Sequence, residues 1–160
     1  MSEPLIYCVP LTNDSLDCAM RIESECFPCD PWSENTVKMM ANAQENDFLL
    51  WYKDNGAEPV LIGSTIYLAT EYEAELYKIA VLPEHRGKGY ADIMLRKMLE
   101  KAKVLGSPKV FLEVREGNLS ARRLYERNGF EIDGIRKSYY KSPTENAVLM
   151  SIDLSKYERS

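Results

Sequence analysis

Histidine is almost missing from this chain: His85 is the single one in 160 residues. The four cysteines, Cys8, Cys18, Cys26 and Cys29, are confined to the first fifth of the sequence, and no histidine lies near enough to complete a zinc set. Cys26 and Cys29 have C-x-x-C spacing, but Pro28 stands between them and no second pair follows, so they read as reduced thiols and no metal is expected. No cysteine is followed by an obvious base, and the lone histidine is far away in sequence. A Ser/His/Asp or Cys/His hydrolase therefore has little support. Long apolar runs are also lacking. Nothing approaches the roughly 18 residues that span a bilayer, and the first thirty residues carry no basic-then-apolar leader, so a soluble, cytoplasmic protein without a membrane partner is expected. Basic charge is not in surplus either: 20 Lys and Arg against 25 Asp and Glu leave a net charge of -5, which disfavours nucleic acid as the primary partner. Repeats, low-complexity tracts and Pro/Gly/Ser-rich linkers are absent, and the length suits one domain over residues 1–160.

The hydrophobic pattern places the elements. Thr12 or Asn13 can cap a helix to about Cys26, and Ser33 a second from Glu34 to about Gln44. Strands are predicted over Phe48–Tyr52, Val60–Leu68 and Ala74–Val81, with the turn-rich Asp54-Asn55-Gly56 between the first two. After a loop from Leu82 to Lys88, a helix to about Leu105 carries Ala91, Met94, Leu95, Met98, Leu99 and Ala102 as one apolar stripe, a face that must dock on a sheet. Val110–Val114 is a short strand, Leu119–Asn128 a helix stopped by Gly129, and Phe130–Arg136 with Ala147–Leu154 a closing hairpin. The order αα-βββ-α-β-α-ββ predicts an α/β (α+β) fold, one sheet with helices on both faces.

The strongest chemical signal is the strand Leu76–Val81 followed by Arg86-Gly87-Lys88-Gly89-Tyr90-Ala91 at the start of the amphipathic helix. Glycines there allow close backbone approach to a ligand. Unsatisfied N–H groups at a helix N-terminus, carrying partial positive charge, suit an anion such as a pyrophosphate, and Lys88 adds a mobile cation. The pattern is neither the P-loop nor the dinucleotide fingerprint, since Tyr90-Ala91-Asp92 follows the second glycine. A plain helix start is the alternative.

Arg86, Gly89 and Ala91 match R-x-x-G-x-A, and with it the sequence resembles the GNAT superfamily of N-acetyltransferases. The resemblance implies a mixed central sheet with a splayed strand pair. It also implies acetyl-coenzyme A as cosubstrate: the backbone from Ile79 through Ala80 to Val81 would align the acetyl and pantetheine arm, and the amides of about Gly87 to Asp92 would hold the pyrophosphate. Phe27, Pro31-Trp32-Ser33, Glu113-Val114-Arg115, Asn118, Leu124-Tyr125, Gly129-Phe130, Gly134, Arg136, Tyr139-Tyr140 and Ala147 to Met150 extend the likeness to the bacterial ribosomal-protein-alanine N-acetyltransferases. It covers roughly residues 25–154. Three features depart from that pattern: a Phe27–Pro31 loop about one residue longer, Gly117 where the family prefers Ser, and Asn146 in place of an acidic residue beside Glu145. All three bear on the acceptor.

The resemblance gives Glu113 as general base, through water, and Tyr125 as the acid that protonates the departing sulfur, in direct transfer within a ternary complex. The plain alternatives are a solvent-facing strand glutamate and a core helix tyrosine. Asn118 suits both a helix N-cap and a coenzyme contact. Trp32, Tyr139 and Tyr140 are candidate walls of an acceptor channel or simply packing aromatics. Arg122 and Arg123 read as a solvated helix face. A peptide α-amine, with a reference pKa of about 7.7–8.0, is roughly a tenth neutral at pH 7, whereas lysine at about 10.4 is neutral in well under one part in a thousand. A single water-mediated carboxylate thus fits a protein α-amine, and the resemblance implies that it is the N-terminal alanine of a small-subunit ribosomal protein. The competing readings are a small-molecule amine or lysine side chain as acceptor, and a non-catalytic acyl-coenzyme A-binding module. Nothing in the sequence sets the oligomeric state.

Overall fold

A computed structural model describes residues 5–158. The elements run β1 (Ile6–Pro10), α1 (Leu16–Cys26), α2 (Glu34–Asn42), β2 (Asn46–Lys53), β3 (Val60–Ala69), β4 (Ala74–Val81), α3 (Tyr90–Leu105), β5 (Lys109–Arg115), α4 (Leu119–Arg127), β6 (Glu131–Tyr140) and β7 (Glu145–Asp153). Seven strands form one sheet in the order β1-β2-β3-β4-β5-β7-β6. Every neighbouring pair is antiparallel except β4 with β5, which are parallel. α1 and α2 cover one face through Ala19, Ile22 and Val37 against Phe48, Leu50 and Ile66. α3 and α4 cover the other, where Leu95, Met98, Leu99 and Ala102 of the predicted stripe are fully buried against Leu76, Val110 and Val148, and Met94 against Trp51, Ile62 and Val81. Each such side chain contributes about 1.5–3 kcal/mol by leaving water.

Local signals account for most boundaries. Ser33 accepts the Thr36 N–H at 3.2 Å and starts α2, Asn118 accepts the Ala121 N–H at 3.2 Å and starts α4, and left-handed Gly106 ends α3. The sequence reading needs three corrections. It has no strand before the first helix, yet β1 pairs along the outer edge of β2. Residues 13–15 form a 3-10 turn before α1. The closing hairpin is longer than predicted: β6 reaches Tyr140, so Tyr139 and Tyr140 end a strand instead of lying in the connection. β1 is short and mostly exposed, so it shows little of the burial alternation that marks a strand. β6 is exposed along nearly its whole length, and its pairing with β7 shifts register twice, which hides its period.

β4 and β5 pair only at Ala74 with Val110, Glu75 with Phe111 and Leu76 with Leu112. Immediately beyond, β4 carries a bulge at Tyr77, since Ile66 of β3 opposes Lys78 while Tyr67 opposes Leu76. From there β4 keeps its β3 partners through Val81, while β5 turns with β7 through Arg115, leaving the two strands apart at their C-terminal ends. Gly63 fixes β4 on the β3 side. A Cβ there would stand 2.0 Å from the Ala80 carbonyl oxygen, a backbone atom with no side-chain route of escape. Gly63→Ala is therefore expected to cost about 1–3 kcal/mol or more and to weaken any ligand held by residues 79–81. Urea unfolding together with coenzyme A titration would detect both losses, and wild-type values in both would refute the argument.

Candidate active site

The opening between β4 and β5 leads into a groove of about 460 Å³. One wall is Ile79, Ala80 and Val81, another is the turn and first residues of α3, and a third is Asn118, Ser120, Ala121, Leu124 and Arg127 of α4. Leu82 donates its N–H to the Ile62 carbonyl at 2.8 Å. By the alternation of an antiparallel pair, the peptide groups of Ala80 then also face β3, and those of Ile79 and Val81 face the opening. The Val81 carbonyl is bound there by the Arg86 side chain, whose Nε donates at 2.8 Å. Arg86 thus braces the loop that carries the glycines.

Gly87 and Gly89 have φ of 77° and 80°, left-handed values that glycine adopts without strain. Gly89 is the N-cap of α3 and supplies no side-chain acceptor, so the first amides of that 16-residue helix keep their donors for a ligand. Asp92, in the first turn, is turned away from that role by Arg127 at 2.7 and 2.8 Å and by Asn128 at 2.9 Å. The Arg127 hydrogen bond holds its carboxyl below the ordinary range. This pair ties the start of α3 to the end of α4 and closes that end of the groove. Of the expected coenzyme residues, Ile79, Ala80, Val81, Arg86, Gly87, Gly89, Tyr90, Ala91, Asp92 and Asn118 line the groove, and Lys88 does not. Lys88 is exposed on the loop. Cys26, Phe27, His85, Ser120, Ala121, Leu124 and Arg127 were not foreseen as lining residues. Those on α4 lie one and two turns inside the Asn118 cap and were legible from that spacing. Cys26 arrives by tertiary contact from the end of α1 and left no local signal, whereas His85 directly precedes Arg86 on the same loop. Burial lowers the pKa of the His85 imidazole, with Glu84 opposing the shift.

Glu113 lies on the opposite sheet face from α4, directly beside Leu149 of β7. A second hollow, of about 390 Å³, runs from it over Phe111 and Leu149 past Glu73, Glu75 and Asp133. Arg136 pairs with Glu113 at 3.3 Å and stacks over Tyr139 at 5.0 Å. A hydrogen bond to Glu113 pushes the Tyr139 phenol up. Burial, reinforced by Glu113 and Glu73, raises Glu75. Tyr125 is 7% exposed and packs on Phe130 at 5.7 Å. Burial pushes its phenol up, so it holds its proton at neutral pH. Glu113 and Tyr125 are not in contact, but Tyr140 neighbours both, and burial pushes Tyr140 up to about 12. Arg122 donates to the Glu116 carbonyl at 2.8 Å and is half-buried, whereas Arg123 is exposed as expected.

Arg115 gathers the walls on this side. Its guanidinium meets Asp30 of the α1–α2 loop at 3.0 Å, Glu145 at 3.2 Å and the Pro143 carbonyl at 3.3 Å, and it lies 4.4 Å over the Tyr140 ring. Glu145 accepts the Gly117 N–H at 2.6 Å, and a Cβ at Gly117 would sit 2.6 Å from the same oxygen. Gly117 thus accompanies this carboxylate. Asn146 accepts the Ser138 N–H and donates to Glu116, both at 2.9 Å, which fixes the bulge leading into Tyr139. Trp32 is half-buried and packs over the Lys78 ammonium at 4.2 Å. Among the described residues there is no cluster of three or more His, Cys, Asp or Glu able to hold a metal, and no helix is long and apolar enough to cross a membrane.

Comparison with known proteins agrees with this geometry. The [ribosomal protein bS18]-alanine N-acetyltransferase of Haemophilus influenzae is 40% identical over 124 residues, covering 76% of this chain and 81% of that one. The enzyme of the same name from Escherichia coli K12 is 30% identical over 147 residues, covering 91% and 95%. The crystal structure of the ribosomal-protein-S18-alanine N-acetyltransferase from Escherichia coli superposes with a TM-score of 0.82 at 26% identity, covering 98% of each chain. The model of the acetyltransferase (GNAT) family matches residues 16–130. With its splayed β4–β5 pair, glycine-capped α3 and these relatives, the chain belongs to the GNAT family of N-acetyltransferases.

Proposed function

We propose that this enzyme transfers the acetyl group of acetyl-coenzyme A to a protein N-terminal α-amine, that of an alanine-initiated small-subunit ribosomal protein in the bacterial cytoplasm. The observation that carries the acceptor is the likeness to bS18-alanine N-acetyltransferases over 76% and 91% of the chain. The coenzyme fits the groove by chemistry. The peptide groups of Ile79 and the N–H of Val81 offer hydrogen bonds to the amides of an extended pantetheine arm, as a neighbouring strand would. The uncapped amides of α3 offer an anion site for the pyrophosphate. Asn118, already spent on its helix cap through Oδ1, has its amide nitrogen for the coenzyme edge.

The reaction follows from the two faces of the opening. The α-amine enters from the face of Glu113, between the α1–α2 loop and the end of β6, with Tyr139 and Tyr140 as walls. Glu113, directly or through water, takes the proton that the amine must lose to attack the thioester carbonyl. As the nitrogen–carbon bond forms and the carbon–sulfur bond breaks, the thiolate takes a proton from the buried Tyr125 phenol, releasing coenzyme A, and the proton shed by the acylated nitrogen passes through solvent to restore the phenol. Arg136, paired with Glu113 at 3.3 Å, keeps the carboxylate aimed until the acceptor enters. A protein α-amine needs only about 1 kcal/mol to deprotonate at pH 7, against about 4–5 for lysine, which suits a single carboxylate.

Steady-state release of coenzyme A thiol tests the acceptor with alanine-initiated peptides, α-amine-blocked lysine peptides and free polyamines. Selective turnover of the alanine peptides is expected, and turnover confined to the lysine peptides or polyamines would overturn the assignment. Glu113→Gln should lower kcat/KM about 100-fold at pH 6.5 and much less at pH 9, where the amine is already neutral; a parallel loss at both values would remove Glu113 as base. Tyr125→Phe should cut kcat by about 100-fold or more with coenzyme affinity retained. Full turnover would exclude it as the acid.

A further inference from the structure

Glu23 is 2% exposed, one of the few charged groups in the core, and the reaction above makes no use of it. Its Oε2 accepts two hydrogen bonds, from the Lys78 ammonium at 2.7 Å and from the Trp32 N–H at 2.7 Å. The same ammonium lies 4.1 Å from the centre of the Phe27 ring and 4.2 Å from that of Trp32. A carboxylate with two aromatic faces around one nitrogen is the arrangement by which proteins bind alkylammonium ligands. Here the ligand is the chain's own side chain, brought in from β4.

Its position gives the cage a meaning. Lys78 directly precedes Ile79, whose peptide groups face the opening, and the β4 bulge at Tyr77 sets its direction. Phe27 lines the coenzyme groove, and Phe27 and Trp32 bracket the α1–α2 loop that Arg115 holds through Asp30. The cage is therefore on the acceptor side of the opening. Desolvation lowers Lys78 while Glu23 opposes the shift. A buried ion pair of this kind stabilises little compared with an apolar pair, so specificity is the better reason to keep it.

The geometry points to Lys78 as a specificity-determining residue: an internal ammonium that fills an alkylammonium cage, orders the acceptor loop, and shuts out polyamines and lysine side chains that would otherwise lodge beside the thioester. This deepens the N-terminal assignment and rests on it for the meaning of the exclusion, but cage occupancy is measurable without any acceptor. Lys78→Ala removes three methylenes and the ammonium, a fragment matched in size and charge by the three carbons and nitrogen of n-propylammonium. Melting temperature and acceptor KM would be measured for wild type and variant with propylammonium chloride, n-propanol or sodium chloride at matched ionic strength. Wild type should respond alike to the two salts and not to propanol. The variant should melt several degrees lower and show an acceptor KM raised about tenfold, with propylammonium alone restoring both saturably. Equal effects of propanol or sodium chloride, or no restoration, would overturn the proposal. If Lys78→Ala does not fold, the double variant Lys78→Met with Glu23→Gln leaves no charge buried. It should fold, show a raised acceptor KM and no longer respond to propylammonium; a wild-type acceptor KM in that protein would also overturn the proposal. The melting response stands apart from the peptide panel, so failure of the cage and failure of the α-amine assignment are told apart.

Discussion

The structure depends on where two parallel strands stop pairing. Three residue pairs join β4 to β5, and past Leu76 and Leu112 each strand follows its antiparallel partner instead. A sheet normally satisfies its backbone groups within itself, and unpaired ones are costly when buried. The parting therefore creates a row of donors and acceptors that a ligand with its own amides can fill. The bulge at Tyr77 and the glycine at position 63 maintain it: one re-aims β4, and the other lets the Ala80 carbonyl press close against β3. The α3 N-terminus opens onto the same gap because the chain after β4 has only the Leu82–Gly89 turn in which to reverse onto the sheet.

The two sides of the gap are built differently. On the α4 side the contacts are apolar or local, and one bidentate ion pair, Asp92 with Arg127, joins the two helices. On the other side they are charged and long-range. Arg115 connects a loop before α2 to a hairpin near residue 145, and Lys78 with Glu23 pins the same loop from beneath. A groove for a cosubstrate common to a whole family can rest on backbone geometry. On the other side the side chains bind across loops: Glu145 accepts the Gly117 N–H and pairs with Arg115, and Asn146 joins the Ser138 N–H to Glu116.

The sequence made the coenzyme side legible because its parts are contiguous: a strand, a glycine turn and a capped amphipathic helix within thirty residues. The stripe from Met94 to Ala102 lies buried as its 3.6-residue period predicts, and the amides after Gly89 stand at a helix start. What could not be read was assembled across the chain. β1 depends on the edge of β2. The setting of Tyr139 and Tyr140 depends on a bulge fixed by Asn146, and Trp32, which reads as a channel aromatic, is engaged by a lysine 46 positions away. Lys88 illustrates the converse: a cation in a phosphate-like motif reads as a ligand, but its backbone leaves the side chain outside the groove.

The central claim is that the parted strands, through the peptide groups of Ile79 and Val81, receive the coenzyme. Amide hydrogen exchange resolved to single residues, with and without coenzyme A, tests it directly. The amides of Ile79 and Val81 should gain protection on binding while those of Ala80 and Leu82, already bonded to β3, stay slow in both states. Unchanged exchange at Ile79 and Val81 in a protein saturated with coenzyme A would contradict the account.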